Sequence, residues 1–355
     1  MKLVAYSDAT TFGGAEQVLA NLLEALDPAY EIRVLAVDQA VGEAIASARN
    51  GTKLHLLPRV KSKWDAGPML RHVRSVRALR PDIFHASLWT STRGQYGVGA
   101  ALLTPGVRTV VVEQAAPLPS RSPVQRFFKR TLSRLASAHV SVGEASARAV
   151  EEAVGLPRGS VRTIYNGAPD KPLEPLPRLA EGPVIGSLGR LSPEKGYDLA
   201  VQALVEVPGA TLVLVGDGPE RTRLERLAAE LGVAGRVRVV GWVEEPRRYL
   251  AGFDVFLLAS RTEGFPLAIV EAMLAGLPVV ATEVGSVAEA VQEETTGYLV
   301  PAEDPDALAG RLRDVLADPE LARRLGEAGR VRALQHFTSA AMASSFERLY
   351  RELLS

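Results

Sequence analysis

Residues 254–286 read DVFLLASRTEGFPLAIVEAMLAGLPVVATEVGS, and this stretch decides the fold. Asp254 to Ala259 is an apolar run of strand length, ended by a polar turn that holds Glu263 and Gly264. Pro266 suits the first position of a helix, where its missing N–H would be unpaired in any case. From Leu267 to Ala275 all residues but Glu271 are apolar, which predicts a buried helix, and Pro278 to Ala281 reads as a further strand. A buried carboxylate such as Glu271 is rare unless something pairs with it. Glu263 lies eight residues earlier, in the loop that feeds the helix. Between the two lie unpaired N–H groups and the positive end of the helix dipole, a ready anion site. Two carboxylates around an anion hole suggest a ligand with hydroxyls at both ends and phosphate in the middle.

Working outward, strand-like runs alternate with amphipathic helical runs along the chain, which predicts parallel sheets covered by helices and argues against an all-β protein. At 355 residues about two domains are expected. A hydrophobic content of 47% excludes a disordered chain, and the lack of cysteine excludes disulfides and thiolate chemistry. Met1 to Ser7 is too short for a secretory apolar region, and no apolar run approaches the roughly 18 residues of a spanning helix. The expectation is a cytoplasmic protein, soluble or peripheral on the inner face of the membrane. Residues 1–178 carry 23 Lys and Arg against 15 Asp and Glu, and the remainder 18 against 26. A basic first half hints at an anionic surface meeting it.

In the first half, Lys2 to Tyr6 is a strand that leads through SDATTFGGAEQ into helix Ala15 to Leu26. Gly13 and Gly14 at this turn would let backbone approach a phosphate, although a tight turn without ligand has the same signature. Strands Glu31 to Val37 and Leu54 to Leu57 follow, then helix Leu70 to Arg80, with Leu70, Val73, Val76 and Leu79 beside Arg71, Arg74, Arg77 and Arg80. Strand Asp82 to Ala86 brings His85 and Ser87, and His85 reads either as a core histidine or as a binding residue. After strand Thr109 to Glu113, Arg121 to Leu135 is a second cationic helix. Val124, Phe128, Leu132 and Leu135 share one arc, with Arg126, Lys129, Arg130 and Arg134 opposite. It is either a solvated surface helix or one lying on an anionic membrane with its aromatic side inserted. Strand His139 to Val142, helix Glu144 to Val154 and strand Val161 to Tyr165 lead to Asn166-Gly167, and the proline-rich APDKPLEPLPRLAEGP that follows reads as an interdomain linker.

The second half repeats the alternation: strand Pro183 to Leu188, helix Tyr197 to Val205, strand Thr211 to Val215, helix Arg221 to Leu231 and strand Val237 to Val240. Beyond the opening stretch, helices are expected from Ser286, over Asp304 to Leu316, about Pro319 to His336, and Ala340 to Leu353. Ligands of doubly wound sheets bind at the carboxyl ends of strands, which selects the loops holding Gly189, Arg190 and Lys195, then Gly216 to Gly218, then Glu263 to Phe265. Arg190 and Lys195 beside the anion hole make a diphosphate clamp. The histidines are scattered, no HExxH occurs, and Asp304-Pro305-Asp306 reads as a helix cap, so no metal site is expected. Absence of a G-x-S-x-G elbow leaves a Ser-His-Asp hydrolase unsupported.

EGFPL at 263–267 through Glu271, with Gly189-Arg190-Leu191, Lys195-Gly196, GDGP at 216–219, Asn166-Gly167 and Gly13-Gly14-Ala15-Glu16, resembles glycosyltransferase family 4 over nearly the whole chain. The resemblance implies an α/β protein of the GT-B fold, two Rossmann-like doubly wound domains facing across a cleft, with the last helix crossing back. The domains would be residues 1–168 plus about 337–355, on the acceptor side, and 169–336, binding the donor. It further implies a retaining, metal-independent transferase without cofactor, whose co-substrate is a nucleoside-diphosphate sugar; cell-envelope glycolipid or polysaccharide synthesis is one setting for it, and the acceptor is left open. Glu271 would hydrogen-bond the ribose hydroxyls and Glu263 would face the donor sugar. Backbone N–H groups of Gly264, Phe265 and Leu267 would hold oxygens, Pro266 having none, while Arg190 and Lys195 neutralise the departing diphosphate. Gly14 would close over the phosphates, and the base would lie by Val240 and Gly241. Family members often carry His-x-His where this chain has His85-Ala86-Ser87, and Glu-His where it has Glu113-Gln114. A sugar-nucleotide epimerase and a non-catalytic donor-binding subunit are the alternatives. The partners expected are the donor, an unidentified acceptor and an anionic membrane touching helices 70–80 and 121–135, and no nucleic acid.

Overall fold

Short runs rich in Val, Leu and Ile form two all-parallel sheets whose central strands are buried on both faces. The computed structural model describes residues 1–60, 65–89, 94–115 and 123–355. It divides into two units, Met1–Pro169 with Thr338–Ser355, and Asp170–Phe337. In the first unit, strands β1 (Lys2–Ser7), β2 (Glu31–Ala36), β3 (Lys53–Leu56), β4 (Ile83–Leu88), β5 (Arg108–Glu113), β6 (Ala138–Ser141) and β7 (Arg162–Thr163) lie in the order β3-β2-β1-β4-β5-β6-β7. They are joined by helices α1 (Gly14–Ala25), α2 (Gln39–Ser47), α3 (Ala66–Leu79), α4 (Gln95–Leu102), α5 (Pro123–Leu135) and α6 (Glu144–Val154).

The second unit runs β8 (Val184–Leu188), α7 (Tyr197–Val205), β9 (Thr211–Val215), α8 (Arg221–Glu230), β10 (Val237–Gly241), β11 (Val255–Leu258), α9 (Leu267–Leu274) and β12 (Val279–Thr282). It continues through α10 (Val287–Ala290), β13 (Gly297–Val300), α11 (Pro305–Ala317) and α12 (Pro319–His336), with sheet order β10-β9-β8-β11-β12-β13. Helix α13 (Ser339–Leu354) returns to the first unit, where it packs on α1 and buries Phe346 and Tyr350. In each sheet the strand order reverses once, between β1 and β4 and between β8 and β11, and these switch points are where ligands of such sheets bind.

Several local expectations are corrected. Pro266 has extended backbone (φ −73°, ψ 116°) and caps α9, so the helix opens at Leu267. Helices α2 and α4 and strand β13 are additions to the sequence reading, and β7 is shorter than Val161 to Tyr165. The proline-rich stretch is fastened to the second unit: Arg248 Nε donates to Glu174 O at 2.9 Å, and Arg178 pairs with Asp254 at 2.8 Å. The largest correction concerns α5, whose expected first residue, Arg121, lies outside the described residues. Lys129 does not join the arginines; it is buried and donates to Glu113 at the end of β5, which also meets His139 Nε2 at 3.1 Å. Burial pushes the Glu113 carboxyl up, but Lys129 and His139 more than offset this and hold its pKa at about 2. With Lys129 and Leu132 turned inward, Val124, Phe127, Phe128 and Leu135 are exposed.

Candidate functional site

The loops after β8 and β11 flank the switch point of the second sheet, and close backbone contact holds them together. A Cβ at Gly196 (φ +61°) would lie 2.0 Å from the carbonyl oxygen of Ala259, so only glycine fits there. Arg261 N donates to Glu194 O at 2.8 Å, and Arg261 Nη1 to Pro193 O at 2.9 Å. So fixed, Lys195 Nζ reaches Glu263 Oε1 at 2.6 Å, and the same oxygen accepts from Ser260 Oγ at 2.7 Å. Burial works to lower the Lys195 pKa, but the Glu263 carboxylate prevails and raises it. The loop is braced from its other side as well, where Ser286 N donates to Gly264 O at 3.0 Å. Arg190 is exposed, and its guanidinium makes no hydrogen bond or ion pair among the described residues.

Helix α9 buries Ile269, Val270, Ala272, Met273 and Leu274, and with them Glu271, which is 9% exposed. The Glu271 carboxylate has no hydrogen bond or ion pair among the described residues. Burial drives its pKa up to about 7, against a smaller opposing pull from Arg247. Phe265 packs its ring 5.1 Å from that of Phe337, leaving backbone as its contribution to any ligand. Gly189, Gly216 and Gly241 meet across three strand ends: Gly189 N donates to Val215 O at 3.0 Å, and Gly216 bridges Gly241. A Cβ at Gly216 (φ +146°) would sit 2.0 Å from Gly189 O. These glycines therefore serve the contact of one loop with the next.

The remaining candidates, Gly13, Gly14, His85, Ser87 and Asn166, belong to the first unit. Gly13 caps α1 and donates its N–H to Glu16 Oε2 at 3.2 Å, and nothing among the described residues lies within 4 Å of a Cβ built on Gly14. His85 is a core histidine: its Nδ1 is 2.7 Å from Tyr350 Oη, its ring packs on Phe346, and burial lowers its pKa to about 3. Ser87, also buried in β4, has an Oγ with no hydrogen-bond partner among the described residues. Asn166 is buried next to Gly167, where a Cβ would sit 2.4 Å from Thr338 O. Sequence reasoning missed Ser260, Arg261 and Arg247. The first two sit in the quoted loop as ordinary polar turn residues, and only their partners reveal them. No group of three or more His, Asp or Glu side chains among the described residues is arranged to hold a metal ion.

Two family models match the chain, Glycosyltransferase Family 4 over residues 12–171 and Glycosyl transferases group 1 over residues 174–332. The lipopolysaccharide core biosynthesis glycosyltransferase LpsE of Rhizobium meliloti is 35% identical over 170 residues, 48% of this chain and 50% of that protein. A GDP-mannose-dependent phosphatidylinositol monomannoside mannosyltransferase of Mycolicibacterium smegmatis is 38% identical over 172 residues, 45% of each chain. The chain spans about half the length of the curated relatives it matches. Among solved structures, Anabaena HepE in complex with UDP-glucose matches at a TM-score of 0.85 and 22% identity, covering 99% of this chain and 100% of that one. The sucrose-phosphate synthase of Thermosynechococcus elongatus matches at 0.81 and 22% identity, over 100% and 99%. Family models that together run through both Rossmann-like sheets, and structural neighbours that share both, lead to one conclusion: the chain belongs to glycosyltransferase family 4 and carries the GT-B fold.

Proposed function

We propose that the protein transfers a sugar from a nucleoside-diphosphate sugar to an acceptor hydroxyl, with retention at the anomeric carbon and without a metal ion. The observation that carries this reading is Glu271, a buried carboxylate with no hydrogen bond or ion pair among the described residues, on the helix that follows the Lys195–Glu263 pair. Ribose hydroxyls donating to Glu271 offset the cost of its burial. The diphosphate lies against Arg190, Lys195 and the N–H groups of Gly264, Phe265 and Leu267 at the head of α9. Glu263 faces the sugar and stabilises positive charge at the anomeric carbon. As the bond from that carbon to the phosphate oxygen breaks, the departing oxygen takes the proton of the acceptor hydroxyl, and the new glycosidic bond forms on the same face.

The relatives named for lipopolysaccharide core and phosphatidylinositol mannoside synthesis favour a cell-envelope acceptor. Exposed Val124, Phe127 and Phe128 beside Arg126, Arg130 and Arg134 favour an anionic membrane against α5, on the cytoplasmic side. Among the described residues no helix is long and apolar enough to cross a membrane. The test is turnover of radiolabelled UDP-glucose and other nucleotide sugars with cell-envelope lipid in EDTA. Expected is a labelled product with the donor's anomeric configuration, lost in Glu271→Ala together with donor binding. An inverted product, or donor binding undiminished in Glu271→Ala, would overturn the reading. An epimerised nucleotide sugar formed without acceptor would replace it with an epimerase.

A further inference from the structure

We infer that Arg261 is a positioning residue that sets the Lys195–Glu263 pair for the diphosphate, an inference that rests on the proposed function. Its guanidinium makes four hydrogen bonds and an ion pair, all to protein acceptors. Nη1 reaches Pro193 O at 2.9 Å and Asp198 Oδ1 at 2.8 Å, Nη2 reaches Asp198 Oδ2 at 3.0 Å and Glu303 Oε2 at 3.2 Å, and Nε reaches Glu303 Oε1 at 2.5 Å. With both Nη groups committed to protein acceptors and Nε against the Glu303 carboxylate, this guanidinium, unlike that of Arg190, acts through what it holds. What it holds is the short 3₁₀ turn Pro193–Lys195, the first turn of α7 through Asp198, and the turn after β13 through Glu303. Arg261 itself lies two residues before Glu263, so one side chain ties the loop of the cation to the loop of the carboxylate. Burial tends to raise the Asp198 pKa, but Arg261 and Arg223 prevail and lower it, which keeps the fork ionised. Glu303 sits at φ +62°, a conformation that non-glycine residues seldom adopt and that its place in this cluster helps to stabilise. Lysine cannot replace this fork, because an ammonium cannot bridge five acceptors on three segments.

Calorimetric titration with UDP, GDP and ADP, and with uridine, guanosine and adenosine, tests the role. The parent is expected to bind one diphosphate. Arg261→Met, folded by circular dichroism, is expected to bind that diphosphate about 10- to 100-fold more weakly and the matching nucleoside unchanged. Arg261→Lys is expected to fall between. In a Lys195→Met background, Arg261→Met is expected to add no further loss, since the two act as one unit. Should Arg261→Met not fold, Glu303→Gln, which removes one anchor, is expected to show the same pattern more weakly. Unchanged diphosphate affinity, equal losses for nucleoside and diphosphate, or additive losses with Lys195→Met would each overturn the inference and leave the proposed function standing. A parent that binds no nucleoside diphosphate would refute both, and that is seen before any variant is made.

Discussion

The two units share a parallel sheet with one reversal of strand order, yet they treat a buried glutamate in opposite ways. Glu113, at the end of β5, is 1% exposed and is satisfied by Lys129 and His139, which hold its pKa at about 2. Glu271, on α9, is nearly as buried and has no hydrogen bond or ion pair among the described residues, and its pKa rises to about 7. The same desolvation acts on both, so the difference lies in what faces the carboxylate. A charge already paired inside the protein is structure, whereas one left waiting needs something from outside to justify its place.

Breaking the paired case should have the largest effect. Glu113→Gln leaves Lys129 buried without its counter-charge, and a loss of about 3–5 kcal/mol is expected in urea unfolding. The sign follows from the depressed pKa. The stabilisation is present above the ordinary glutamate value and is lost as pH falls from about 4.5 to about 2, so parent and variant should converge in acid. Equal stabilities at neutral pH would mean that the triad contributes nothing.

The unpaired case should respond in the opposite direction. Because the Glu271 pKa is raised, the folded state binds the extra proton between about pH 4.5 and about 7, and stability falls as pH rises through that window. Removing the charge with Glu271→Gln should therefore stabilise the ligand-free protein by up to about 3 kcal/mol above pH 7, with the gain vanishing near pH 4.5. The same variant should bind nucleotide more weakly. A variant less stable than the parent at pH 8 would show that a partner was already present.

Glu271 was legible in the sequence because it interrupts an otherwise apolar helix, and one residue out of pattern needs no knowledge of the fold. The alternation of strands and helices was legible for the same reason, being periodic and local. Lys129 was not: on a helical wheel it belongs with Arg126 and Arg130, and only the approach of Glu113, 16 residues from Lys129 and 26 from His139, draws it inward. Arg261 was hidden likewise, its partners Asp198 and Glu303 lying 63 and 42 residues off. Helix α4 escaped because QYGVGAAL carries two glycines, and β13 because four residues give too little period to read.

The glycines sharpen the contrast between the units in smaller energies. Gly14 and Gly216 both looked like phosphate glycines at strand-to-helix turns, but their surroundings differ. At Gly216 the positive φ and the Gly189 carbonyl leave no room, so Gly216→Ala should cost about 1–3 kcal/mol from backbone strain alone, read in urea unfolding of the ligand-free protein. Gly14 begins α1 with ordinary helical backbone, and nothing among the described residues lies within 4 Å of a built Cβ. There alanine restricts the unfolded chain without a clash, and Gly14→Ala should stabilise by about 0.4–1 kcal/mol. Measuring nucleotide-sugar affinity on the same variant separates two reasons for a glycine at that turn. A more stable protein with undiminished affinity would make Gly14 a turn residue only. A more stable protein that binds the donor less tightly would mean that the volume beside Gly14 is used by the ligand, since the gain in stability shows that the methyl group fits the protein itself.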